Sequence, residues 1–207
     1  MRRRTLNLAL AWLLAAPVLT AVGGRSVFAQ DSFDLETALG TRMIGDPDAK
    51  VTLVEYFSLT CPHCALFHAE TYPKLKEKYI DTGKVKLEFR DFPLDQWALR
   101  AAALARCLPA KRYPAMISLL MEKQASWANV ADPLSELLRN GELAGLDRDS
   151  AKACMTNDKL LDGIIAMRLV GSQKYDISST PSFLHDGAKV DAYTFEEFDE
   201  LLGGSVA

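Results

Sequence analysis

The chain has little cysteine and histidine, with four and three residues respectively among 207. Cys61 and Cys64 are close together, whereas Cys107 and Cys154 stand alone. A zinc site of the common kind needs a second close pair, so this spacing argues against one. A c-type haem needs a histidine directly after the second cysteine, and Ala65 occupies that position. We therefore expect neither a metal nor a cofactor.

The chain also lacks a basic surplus, internal repeats and low-complexity segments. It has 24 Lys and Arg against 27 Asp and Glu, and residues 1–29 hold four of the arginines and none of the acids. Residues 30–207 therefore carry 20 basic and 27 acidic residues, a net charge of −7. This balance argues against nucleic acid or anionic lipid as the main partner. The length suits one domain with an insertion.

The N-terminus has the pattern of an export signal. Three arginines at positions 2–4 precede an apolar stretch over residues 6–22, and Val27 and Ala29 are small residues where a signal peptidase reads. The pattern predicts a signal peptide over residues 1–29, cleaved after Ala29, and a periplasmic protein. An uncleaved anchor is the alternative, although the apolar run is short for a membrane span. Cysteines in an exported protein fit an oxidising compartment.

The two close cysteines lie where a β-type run gives way to a helical pattern. Residues 51–57 are rich in β-branched and aromatic side chains and predict a buried strand. Pro62 suits the first position of a helix, and Pro73 predicts a break in it. Cys61 then lies at the positive end of a helix dipole, which favours its thiolate, and Cys64 can resolve a mixed disulfide. A structural disulfide across the pair is the alternative, but so small a loop removes little chain entropy.

Residues 55–64, Glu-Tyr-Phe-Ser-Leu-Thr-Cys-Pro-His-Cys, closely resemble the active-site region of the DsbA-like thiol:disulfide oxidoreductases, a branch of the thioredoxin superfamily. The resemblance continues through residues 85–94, a long helical segment and residues 179–183. It implies an α/β protein with a thioredoxin fold and an inserted all-helical domain. It also implies an enzyme that donates the Cys61–Cys64 disulfide to reduced, folding exported proteins, and a quinone-linked membrane partner that reoxidises it. We expect a monomer.

Helical and turn patterns set the expected domain boundaries. Residues 97–168 are dominantly helical and open with an alanine-rich run. We assign residues 30–96 and 173–207 to the thioredoxin-like domain and residues 97–172 to the insertion. Near the C-terminus, Asp186-Gly187 predicts a hairpin, and Thr194 predicts the start of a last helix.

Cys107 and Cys154 both lie in the inserted segment. We predict that they form a structural disulfide between two helices, which would stabilise the fold by roughly 4 kcal/mol in the chain-entropy model. Two buried free thiols or a second redox pair are the alternatives.

Two polar residues near the cysteines have expected roles. Glu55 lies in a largely buried strand, where a carboxylate is costly unless it is paired or functional. Burial disfavours its charged form, so it can exchange protons with Cys64 through water, the role that the resemblance also implies. A partly exposed, paired Glu55 is the alternative. We expect His63 to lower the pKa of Cys61, and we assign His68 and His185 to surface or packing positions.

The resemblance places Thr180-Pro181 beside the cysteines, with Pro181 in cis. The Thr180 backbone would then face an incoming peptide, which can pair with it as an added strand. Many oxidases of the family have Val before this proline, and Thr180 instead resembles the isomerases and other relatives. A reductase or isomerase of the same compartment is therefore one alternative, and a non-catalytic thioredoxin-fold chaperone is another. Only about residues 30–41 precede the core, which is short for the dimerisation domain of such isomerases.

Overall fold

A five-stranded mixed sheet lies at the centre of residues 33–204, the part of the chain that the computed structural model describes. The predicted signal peptide over residues 1–29 lies outside the described residues. The strands are β1 (Arg42–Ile44), β2 (Val51–Phe57), β3 (Val85–Asp91), β4 (Ser182–His185) and β5 (Ala188–Val190). Their order is β1-β3-β2-β4-β5, and only β2 and β3 run parallel.

Strand β2, which the sequence predicts as a buried strand, is the central strand of the sheet. It pairs with β3 on one side and β4 on the other, so Glu55 faces Phe89 and Phe183 across the two ladders. A strand that is paired on both edges and covered on both faces has a nearly continuous apolar sequence, rather than one in which apolar and polar residues alternate. Its carboxyl end leads directly to Cys61.

Helices cover the sheet and fill the segment between β3 and β4. They are α1 (Leu35–Leu39), α2 (Pro62–Glu70), α3 (Tyr72–Leu75), α4 (Gln96–Arg106), α5 (Tyr113–Glu122), α6 (Gln124–Trp127), α7 (Pro133–Leu143), α8 (Arg148–Met155), α9 (Asp158–Tyr175) and α10 (Phe195–Gly203). A π-helical turn follows α3 over Lys76–Ile80. Helices α4 to α9 form the inserted helical segment that the sequence predicts. Within residues 33–204, no helix has the length and apolar character of a membrane span.

The first helix of the site breaks where expected. Helix α2 ends at Glu70, and Thr71 caps it before Pro73 enters the first turn of α3. Proline has no N–H to continue the helical ladder and clashes with the preceding turn. The Thr71 hydroxyl donates to the Tyr193 carbonyl at 3.1 Å, which ties the break to the segment before α10.

Some elements differ from the sequence-based expectation. Helix α1 and strand β1 were not predicted, although the Asp34 carboxylate caps α1 by accepting from the backbone N–H groups of Glu36 and Thr37. The last part of the predicted helical region, from residue 148 on, consists of two helices, because Asn157 caps α9 by accepting from the Leu160 N–H. The predicted hairpin at Asp186-Gly187 and the Thr194 cap are confirmed.

Buried polar contacts join the inserted helices to the sheet. The Arg106 guanidinium in α4 pairs with Asp91 at the end of β3, and both side chains are almost fully buried. The Tyr113 hydroxyl donates to the same carboxylate at 3.1 Å. Helix α9 lies so close to β2 that a Cβ on Gly171 would be 2.6 Å from the Tyr56 ring. These contacts hold the helices at the same end of β2 as the cysteines.

A disulfide joins Cys107 to Cys154, with a Cα–Cα distance of 6.1 Å. Cys107 caps the end of α4, and Cys154 lies in α8. The bond therefore connects two helices of the inserted segment and leaves Cys61 and Cys64 as the free cysteines among the described residues.

Candidate active site

Cys61 and Cys64 occupy different depths at the start of one helix. Cys61 is the N-cap of α2 in an extended conformation, and Pro62 is the first helical residue. The relative exposure is 6% for Cys61 and 0% for Cys64. The Ser58 backbone N–H donates to the Cys64 sulfur at 3.5 Å. An incoming thiolate can therefore reach Cys61, whereas Cys64 is enclosed by protein.

The two thiols also have very different pKa values, because they differ in burial and in hydrogen bonding. Hydrogen bonding with the Cys64 thiol, then with Thr180 and the backbone N–H groups of Cys64 and His63, outweighs burial and lowers the pKa of Cys61 to about 5. Burial raises the pKa of Cys64 far above its usual range, and the Cys61 hydrogen bond and the Glu55 charge act in the same direction. These shifts favour the thiolate of Cys61 and the thiol of Cys64 at neutral pH.

The Thr180-Pro181 segment lies against Cys61, although the two are far apart in sequence. The Cys61 sulfur lies 3.2 Å from the Thr180 carbonyl oxygen, to which the protonated thiol donates, and the Thr180–Pro181 bond is cis. The Thr180 hydroxyl is buried and has no hydrogen-bond partner within residues 33–204. It is available to donate to the sulfur once Cys61 is a thiolate. The Tyr193 hydroxyl donates to the Pro181 carbonyl at 2.8 Å, and this hydrogen bond stabilises the Thr180-Pro181 segment.

His63 is an exposed residue of the first turn of α2. Its backbone N–H is among the groups that lower the pKa of Cys61. The role expected for its imidazole stays a prediction, because the backbone donor is independent of the side chain.

Gln124 is a site residue that the sequence did not indicate. Its side-chain amide donates to the Leu59 carbonyl at 2.8 Å and to the Cys61 carbonyl at 3.0 Å. It comes from α6 in the inserted segment, so this segment holds the loop that carries Cys61. A glutamine in a helical pattern carries no sequence signal of this role, because its partners are backbone groups of a distant loop.

Glu55 is fully buried, and its partner is His68. The His68 Nε2 lies 3.0 and 3.2 Å from the two carboxylate oxygens of Glu55. The sequence analysis assigned His68 to a surface or a packing position. It is 8% exposed, so it is a buried packing residue and not a surface one. Its hydrogen bonds to Glu55 were not predicted. A sequence signal was present: His68 follows Cys64 by four positions, which places both on the face of α2 that covers β2.

Comparison with known proteins agrees with this geometry. The family model described as "Thioredoxin" matches residues 37–203, which run from α1 to the last helix. A Rickettsia bellii protein named "Putative protein-disulfide oxidoreductase" is 32% identical over 166 residues, 79% of this chain. The matched region spans 64% of that relative, less than two thirds of its length.

Solved structures also share the fold. Wolbachia pipientis alpha-DsbA1 is 33% identical with a TM-score of 0.74, and the match covers 80% of this chain and 90% of that chain. A protein-disulfide isomerase from Novosphingobium aromaticivorans is 26% identical with a TM-score of 0.70, covering 81% of this chain and 97% of that chain. The predicted thioredoxin fold with an inserted helical segment is confirmed.

Proposed function

This chain belongs to the DsbA-like thiol:disulfide oxidoreductases of the thioredoxin superfamily, and from that premise we propose that it is an exported dithiol oxidase. It donates the Cys61–Cys64 disulfide to folding secreted proteins in the periplasm, after removal of residues 1–29. It acts as a monomer, and a quinone-linked membrane partner reoxidises it.

The observation that carries the proposal is the stabilised Cys61 thiolate. A group that stabilises this thiolate stabilises the reduced enzyme and makes its disulfide a stronger oxidant. Lowering the pKa from 9.0 to about 5 favours the reduced form at pH 7. The effect is at most about 60 mV for a two-electron couple, since screening by nearby water can only reduce it.

The reaction begins with the oxidised enzyme. A substrate thiolate attacks the Cys61 sulfur, the Cys61–Cys64 bond breaks, and Cys64 leaves with the electron pair and takes a proton. A second thiolate of the same substrate then attacks the substrate sulfur that is bonded to Cys61, and Cys61 leaves as a thiolate. Two electrons pass from the substrate dithiol to the enzyme. Of the two substrate protons, one ends on Cys64 and one goes to solvent.

The Thr180 segment supports binding of an extended peptide. A groove of about 450 Å³ lies beside it, lined by Pro181, Phe183, Lys189 and Tyr193 among others. A substrate strand that pairs with the Thr180 backbone would place its cysteine near Cys61 without depending on its sequence. Such main-chain recognition suits an enzyme that acts on many unfolded chains.

The equilibrium of the Cys61–Cys64 pair against glutathione buffers tests the direction of catalysis. A redox potential near about −120 mV is expected of a strong disulfide donor. A value near roughly −270 mV would refute the oxidase and favour a reductase.

A disulfide isomerase is the second candidate, favoured by Thr180 and by the similarity to the Novosphingobium aromaticivorans protein. Oxidation of a reduced substrate and repair of a scrambled one separate the two activities. Replacing both Cys61 and Cys64 by alanine separates both from a chaperone, since a chaperone would keep its protection of unfolded chains.

A further inference from the structure

The two ring nitrogens of His68 have different environments. Nε2 is engaged by the Glu55 carboxylate at 3.0 Å. Nδ1 is buried and has no hydrogen-bond partner within the described part of the chain. His68 also lines a groove of about 740 Å³ between α2 and helices α5 and α6. A buried donor or acceptor without a partner is costly, so an ordered water from the groove is the natural partner of Nδ1.

We propose that His68 relays protons between the groove and Glu55, and through Glu55 to Cys64. The proposal rests on the proposed function for the direction of the reaction only, because Cys64 gains or loses a proton in either direction. His68 acts through Glu55 and does not touch the reacting sulfur, so it is a positioning and relay residue rather than a catalytic one.

The proton balance follows from the thiol chemistry. When the Cys61–Cys64 bond breaks, Cys64 leaves as a thiolate. The Nε2 proton of His68 moves to the Glu55 carboxylate and from there to the Cys64 sulfur, so that Glu55 ends as the carboxylate it was at the start. The Nδ1 nitrogen takes a proton from water in the groove. The imidazole returns to its first tautomer when the two protons exchange through solvent. No electron passes through the relay, and the net change is one proton from the groove to Cys64.

Aromatic rings hold the imidazole in this position. The ring centroids of Phe67, Tyr72 and Phe57 lie 5.6, 4.9 and 6.4 Å from that of His68, and Phe89 stacks on it at 6.4 Å. The ring therefore has few alternative orientations, and its Nε2 stays directed at Glu55.

The titratable groups around the relay are few. Glu55 faces His68 from β2, Cys64 lies on α2 itself, and the Tyr72 phenol approaches from α3. Burial first, and the charge of Glu55 second, raise the pKa of Tyr72, which keeps that phenol neutral. Lys76 and Glu122 lie on the walls of the groove.

The location of the groove explains why a second route is useful. A substrate bound at Cys61 and Thr180 covers the face through which Cys61 meets solvent, and Cys64 has no exposure of its own. The groove lies on the side of α5 and α6, and the Thr180 segment and Pro181 are absent from its walls. Protons can therefore reach Cys64 while the mixed disulfide is in place.

Replacing His68 tests the relay. The variant His68→Gln keeps an amide donor for Glu55 but cannot shuttle a proton. We expect single-turnover reduction of the oxidised enzyme by dithiothreitol to slow about a hundredfold, the lower end of the range of a general acid–base contribution. We also expect the rate to lose its solvent deuterium isotope effect, while the equilibrium redox potential stays unchanged. His185→Gln, the same change at a histidine outside the site, should keep the rate and the isotope effect.

A His68→Gln enzyme with the wild-type rate and isotope effect would overturn the relay. If this variant does not fold, the reduction rate of the wild-type enzyme in mixtures of light and heavy water decides instead. A rate that falls non-linearly with the deuterium fraction, as expected when several protons move together, supports the relay. A linear dependence, or none, refutes it. The redox potential that tests the oxidase is a separate measurement, so failure of one proposal is distinguishable from failure of the other.

Discussion

At the scale of single residues, position within one helical turn makes two identical thiols chemically different. Cys61 caps α2, where backbone N–H groups and the Cys64 thiol stabilise negative charge. Three residues later, Cys64 lies inside the protein, where burial disfavours a negative charge on its sulfur. The helix start was predictable because Pro62 is a local signal. The pairing of Glu55 with His68 was not predicted, because it needs the distance between a strand and a helix.

The redox potential should change its pH dependence near the pKa of Cys61, about 5. This pKa is lowered, so the stabilisation from the thiolate is lost as the pH falls through that value. Reduction then takes up two protons below about pH 5 and one above it, because Cys64 stays protonated. We expect the potential to fall by about 60 mV per pH unit below this point and by about 30 mV above it.

Glutathione equilibria at a series of pH values measure this slope. A constant slope through pH 5 would show that Cys61 has an ordinary pKa. The variant Cys64→Ser gives a second reading, since ultraviolet absorbance of its single active-site thiolate titrates Cys61 directly.

The contribution of the His63 side chain can be separated from that of its backbone. The variant His63→Ala keeps the backbone N–H that donates toward Cys61. We expect the pKa of Cys61 to rise, since the variant loses any hydrogen bond or positive charge of the imidazole, and the enzyme to become less oxidising. Thiolate absorbance measures the pKa. An unchanged value would assign the effect to the helix start alone.

At the scale of elements, local patterns predicted what local forces form. Strand β2, helix α2, the Pro73 break and the Thr194 cap follow from periodicity, proline and capping. Strand β1 was missed because it has three residues and is held by β3, more than forty positions away in sequence. Its Arg42 is buried against the carbonyls of Ala38 and Arg106, contacts that no local pattern contains.

The disulfide between α4 and α8 should stabilise the inserted helices without taking part in catalysis. It joins residues 47 positions apart. Replacing Cys107 and Cys154 together by alanine should lower the free energy of unfolding by about 4 kcal/mol in the chain-entropy model. Denaturant unfolding of the oxidised protein measures the loss.

The redox potential of the Cys61–Cys64 pair should be the same in this double variant. Mass spectrometry under non-reducing conditions is the check on the bond itself. Two thiols that persist after oxidation of Cys61 and Cys64 would show that the bond does not form.

At the scale of the whole molecule, one buried ion pair connects the sheet to the inserted helices. Arg106 pairs with Asp91 and also donates to the Ala38 carbonyl at 2.9 Å, so it holds β3, α4 and α1 together. Removing one member of a buried pair leaves the other charge without compensation. Arg106→Ala should therefore destabilise the fold by about 3–5 kcal/mol.

Arg139 provides the matched control. It pairs with Glu136 at 3.2 Å, but its side chain is 67% exposed. Arg139→Ala should change the stability by less than about 1 kcal/mol, since exposed pairs contribute little. Thermal or denaturant unfolding of both variants makes the comparison, and equal losses would contradict the account of the buried pair.

The sequence by itself determined the redox pair, the strand that leads to it, the helix that starts at it and the helical character of the insertion. Each depends on neighbours within a few residues, where propensity, proline and hydrophobic period act. The family resemblance placed Thr180 beside Cys61, but only the tertiary structure decided two other meetings of distant groups: Gln124 with the Cys61 carbonyl, and His68 with Glu55. Hydrogen bonds between elements depend on packing distances, which a linear pattern does not contain.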